Sequence, residues 1–97
     1  MAIPNEDKER RRKISAIANE IISGRPEYGF DSSKISELYG LASHYDYMGI
    51  DARMMRARFK RYKSLKQESK KSEEWLNVIN YVANLRSAAS MRISDSD

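Results

Sequence analysis

Ninety-seven residues, of which 33% are charged and 40% hydrophobic, suffice for one domain around one core. They exclude a fully disordered chain and leave little room for a large enclosed catalytic cleft. The chain has no cysteine, which rules out disulfides and thiolate–metal centres, and no apolar run approaches the roughly 20 residues that span a bilayer. The net charge is only +4, but residues 53–71 hold nine Lys or Arg against the single acid Glu68, so that segment carries +8 and the remainder −4.

The first seven residues, Met-Ala-Ile-Pro-Asn-Glu-Asp, lead straight into a basic run, Lys8 and Arg10 to Lys13, broken only by Glu9. They lack the hydrophobic core of a signal peptide, so a cytoplasmic address is expected. The first helix is predicted over about residues 6–23, with Asn5 as N-cap and Glu6 and Asp7 favoured by the helix dipole. Ile14, Ile17, Ala18, Ile21 and Ile22 follow one face at helical spacing. Gly24 suits the position just past the helix end, and Pro26 blocks continuation. Residues 24–32 read as a loop whose Tyr28 and Phe30 fold back onto the core.

Asp31, Ser32 and Ser33 are suitable caps for a second helix with the apolar face Ile35, Leu38, Ala42, Tyr45 and Met48. Gly49 then reads as a terminating glycine and Asp51 as the cap of a third helix running to about residue 67. Ser72, Glu73 and Glu74 are predicted to open the fourth, with Trp75, Val78, Ile79, Val82, Leu85 and Ala89 facing inward. Without Gly or Pro between them, the third and fourth helices are also readable as one. Trp75 is expected to be buried against Ile14, Ile17 or Leu38. The expected fold is therefore all-α, a single bundle of about four helices over residues 1–97, with fraying at about 1–5 and 91–97.

On a helical wheel of the third helix, Ala52, Met55, Phe59 and Tyr62 make a core face. Arg53, Arg56, Ala57, Lys60, Lys63 and Ser64 fill the opposite arc, with Arg61 at its flank. Long cations separated by small residues suit a nucleic-acid groove, where Arg reads guanine edges and Lys attracts phosphates. A helix, the pair Gly49-Ile50 and a helix with a basic outer face resemble the helix-turn-helix of DNA-binding proteins. The resemblance covers about residues 41–62. It implies a buried Met55 and base contacts from Ala52, Arg53, Arg56, Ala57 and Lys60. It departs from the motif at Tyr45, where a small residue is usual, and at Arg58, where a branched apolar one is.

The remaining chemistry-bearing residues are sparse. His44 is a lone histidine without metal-ligand spacing, the tyrosines sit at core or rim positions, and no nucleophile triad or phosphate loop is visible. A binding protein is expected, not an enzyme, with no cofactor or metal. Its binding residues are predicted to be Arg53, Arg56, Lys60, Arg61, Lys63 and Lys66, with Arg11 and Arg12 from the first cationic run. Duplex DNA is the expected partner, for a regulator or accessory factor. The alternative is an inhibitor or adaptor, of the kind found in phages and mobile elements, that sets the same face on an acidic protein surface. The broad apolar arc of the fourth helix is compatible with a homodimer as well as with a central core helix.

Overall fold

A computed structural model describes residues 5–24 and 33–95, with side chains through residue 90. Four helices form: α1 (Asn5–Ser23), α2 (Ser33–Ala42), α3 (Gly49–Ser64) and α4 (Glu68–Asp95), with a 3-10 turn at Asp46–Met48 before α3. There is no strand among the described residues. The expected inward folding of Tyr28 and Phe30 and the capping roles of Asp31 and Ser32 lie outside the described residues.

Each helix packs on the next in chain order, and α4 packs back on α1, so the four close a ring. Side-chain pairs give the directions. Ser15 and Asn19 of α1 meet Ser90 and Arg86 of α4, so these two helices run antiparallel. Asp51 and Arg58 of α3 meet Asn84 and Glu74 of α4, antiparallel again. Glu20 near the end of α1 pairs with Lys34 at the start of α2 at 2.6 Å, and Ile35 lies beside Lys60 and Lys63 while Ser43 lies beside Gly49 and Ala52, so α2 and α3 also run antiparallel. The result is an up-down-up-down bundle.

The helical periodicity explains the core. Ile14, Ala18 and Ile21 of α1, Leu38 and Ala42 of α2, Met48 of the turn, Met55 of α3 and Val78, Val82, Leu85 and Ala89 of α4 are fully buried. Burying each large side chain stabilises the fold by about 1.5–3 kcal/mol. The apolar arc of α4 is thus largely used inside the bundle, while Leu76 on its outer side is 64% exposed. No helix is long and apolar enough to cross a membrane among the described residues.

Several boundaries differ from the sequence reading, each for a tertiary reason. The second helix stops at Ala42, and residues 43–48 form the connection. Tyr45 is extended, at φ −119° and ψ 120°, because its side chain turns inward toward α1. Gly49 is not a terminating glycine. It has right-handed helical angles, φ −60° and ψ −41°, and it opens α3. Asp51 accordingly lies in the first turn of α3 and accepts a hydrogen bond from the Asn84 side chain at 3.4 Å. The third and fourth helices are separate. Leu65 adopts φ −78° and ψ 145°, three residues reverse the chain, and α4 starts at Glu68, four residues earlier than Ser72 suggested. Folding back lets α4 bury its apolar face on α3, which a continuous helix would leave in water. Trp75 is half-buried, and among the described residues its ring meets Phe59 at 6.4 Å and Tyr62 at 5.3 Å between centroids, both on α3.

Candidate nucleic-acid interface

The cationic arc of α3 falls along its junction with α2. Residues 53, 56, 60 and 63 recur at three- and four-residue steps, so their side chains project from one stripe. Arg56, Lys60 and Lys63 line a trough of about 340 Å³ between the two helices, with Ile35 and Phe59 below and Ser36 on the α2 wall. Arg53, Arg56, Ala57 and Lys60 line a second trough with Tyr39. The two share Arg56 and Lys60 and form one surface. A third depression continues it toward the start of α3, between Arg53 and Tyr39, with Tyr45 and Asp46 at its end.

All four cations are exposed, while the residues beneath them are not. Phe59 is 8% and Ile35 2% exposed. Aromatic rings hold two of the cations in place. The Arg56 guanidinium lies 4.7 Å from the Tyr39 centroid, and the Lys63 ammonium 5.6 Å from that of Phe59. Such contacts restrict side chains that would otherwise sample many rotamers. Among the described residues, no carboxylate lines either of the first two troughs.

The other predicted residues go elsewhere. Arg61 is turned toward α4, where its Nε donates to Glu74 Oε2 at 3.3 Å, and Arg58 donates to the other oxygen of the same buried carboxylate at 3.3 Å. Lys66 is exposed in the α3–α4 connection. Arg12 is exposed on α1. It shares a helical stripe with Ser15 and Asn19, which face α4, so it sits across the ring from the α2–α3 junction. The structure therefore does not bring it together with the α3 stripe.

Arg11 is the clear departure from a solvent-facing cationic run. It is 7% exposed, and its charge is used within the fold. Its Nε donates to Asp7 Oδ2 at 2.7 Å, its Nη1 donates to the Tyr47 hydroxyl, and its guanidinium lies 4.3 Å from the Tyr45 centroid. The Tyr45 hydroxyl donates to Asp7 Oδ1 at 2.6 Å. That hydrogen bond is the largest influence on Asp7, holding its carboxyl below the ordinary value against the opposing effect of burial, and Arg11 reinforces it. Burial first, and then the bond to Asp7, push the Tyr45 phenol up. This cluster ties the first turn of α1 to the segment that leads into α3.

Sequence reasoning missed Ile35, Ser36 and Tyr39 as one wall of the surface. Their signal was present: Ser36 and Tyr39 flank the buried stripe of Ile35, Leu38 and Ala42 on one side. It was missed because the direction of α2 against α3 was unknown. His44 is exposed in the turn. No cluster of three or more His, Asp or Glu that could hold a metal ion occurs among the described residues. Comparison with protein-family models, curated proteins and solved structures finds no match to this chain.

Proposed function

We propose that this protein binds nucleic acid, gripping the sugar–phosphate backbone of DNA with the α3 stripe, in a regulatory or accessory role without catalysis. One observation carries the reading: Arg53, Arg56, Lys60 and Lys63 line adjoining open troughs, and among the described residues the one carboxylate along them, Asp46, lies at the Arg53 end. From Arg53 to Lys63 the stripe spans about 15 Å, over which a duplex presents roughly nine phosphate charges. The reading rests on this charge arrangement, not on the turn before α3.

Fluorescence anisotropy with a labelled duplex at 50 and 200 mM salt tests it. Four phosphate contacts imply a log–log salt slope of about −3.6, hence a roughly hundredfold loss of affinity over that range. No binding at 50 mM salt with micromolar protein would remove the reading. A second reading, docking on an acidic protein surface, draws on the same exposed cations, whose charge complements a carboxylate-rich face. Its signature is capture of one partner that competing DNA does not displace.

A further inference from the structure

The aromatic rings of the candidate interface bear on which form of nucleic acid it accepts. Three line the troughs: Tyr39, Phe59 and Tyr45. Single-strand binders without sequence preference stack unpaired bases on open aromatic faces set along a basic groove. Here each ring already carries a cation. Arg56 lies over Tyr39 at 4.7 Å, Lys63 over Phe59 at 5.6 Å, and Arg11 and Arg10 over Tyr45 at 4.3 and 5.9 Å. Phe59 is also stacked on Tyr62, with centroids 6.0 Å apart and planes at 18°. Tyr62 has Lys71 at 4.4 Å and Trp75 at 5.3 Å.

Resting on the nucleic-acid reading above, we infer that the α2–α3 face is selective for double-stranded over single-stranded nucleic acid, because its aromatic faces are occupied by the protein's own cations. A single strand gains nothing from rings it cannot reach. It also presents fewer phosphates per unit length than a duplex, so the same stripe neutralises less charge on it. A duplex keeps its bases stacked internally and needs only the exposed cations, two of which, Arg56 and Lys63, are held ready by the rings beside them. The aromatic residues thus preorganise phosphate contacts and do not read bases.

The test uses the full chain and three labelled probes of equal length: a duplex and each of its separated strands, at 50 and 150 mM salt. The expected result is at least about tenfold tighter binding of the duplex, since productive stacking alone is worth that much per base to a single-strand binder. Single strands bound as tightly as the duplex would overturn the inference while leaving the nucleic-acid reading standing. Binding of none of the probes would overturn both. Arg56→Ala provides a second measurement. It uncovers Tyr39 while removing one phosphate contact, so duplex affinity should fall and single-strand affinity should hold or rise. An equal loss on both forms would show that covering Tyr39 does not set the preference.

Discussion

The buried Glu74 carboxylate of α4 accepts a hydrogen bond from Arg61 of α3 at 3.3 Å, which holds that arginine away from the four-residue stripe on the same helix. Arg58 shares the acceptor through its other oxygen. Glu74→Gln keeps the side-chain shape and removes the charge. Because Arg58 and Arg61 are both substantially solvent-exposed, the stability cost should be only about 1 kcal/mol, read from denaturant melts. With Arg61 released, duplex affinity should increase and the salt slope steepen by about one unit. Weaker duplex binding by a folded variant would show that the pair aligns α3 for binding.

Cations that look equivalent in sequence should behave differently. Arg53→Ala should weaken duplex binding and lower the salt slope by about one, leaving sequence preference unchanged. Lys63→Ala should weaken all duplexes alike and lower the salt slope by about one. Arg12→Ala, across the ring, should leave both quantities within error. A loss from Arg12→Ala equal to that from Lys63→Ala would place the interface elsewhere.

The Asp7–Tyr45 bond, together with the burial of Tyr45, makes stability depend on pH at both ends. The folded state lowers the Asp7 pKa, so its contribution is present above the ordinary carboxylate range and is lost as pH falls through that range and below it. The folded state raises the Tyr45 pKa, so that contribution is present below the ordinary phenol value and is lost as pH rises past it. Thermal melts from pH 2.5 to 11 should give a plateau falling at each end. Asp7→Asn should be less stable on the plateau and should lose less on acidification. An unchanged acid limb would show that Asp7 does not govern it.

Two glycines stand where alanine is the better residue. A Cβ at Gly40, inside α2, would meet nothing within 4 Å, and one at Gly49 would meet only the Arg53 side chain at 3.7 Å. Gly40→Ala and Gly49→Ala should each stabilise the fold by about 0.4–1 kcal/mol in denaturant melts. Gly49→Ala is the sharper case, because a left-handed terminating glycine would lose stability on the same change.

Leu38 is fully buried on the ten-residue helix that walls the binding face. Leu38→Ala should cost about 2–5 kcal/mol, and hydrogen exchange should rise first in residues 33–42. Uniform acceleration across all four helices would mean that α2 opens only with global unfolding.

Much of the fold was legible because periodicity is local. The spacing of Ile14, Ile17, Ala18 and Ile21, or of Val78, Val82, Leu85 and Ala89, identifies an inward face without knowledge of the partner. The α3 stripe was legible for the same reason. Arg11 was partly legible, since it lies three and seven residues before Ile14 and Ala18 and so belongs to their buried stripe, yet the run of basic neighbours masked it. What the sequence by itself determined is therefore amphipathic helices and which side of each is apolar, since both follow from backbone geometry and residue order over a few turns, while the break between α3 and α4 was left to the structure. Only the tertiary structure decided that Gly49 is right-handed helical, that Trp75 meets Phe59 and Tyr62, and that Arg11 and Arg61 are held by carboxylates while Arg53, Arg56, Lys60 and Lys63 stay at the surface. Tyr45 and Asp7 are 38 residues apart, and Arg61 and Glu74 are 13 apart across a chain reversal. Such pairings depend on how helices are oriented against one another, and that orientation is set by burying all the apolar faces at once.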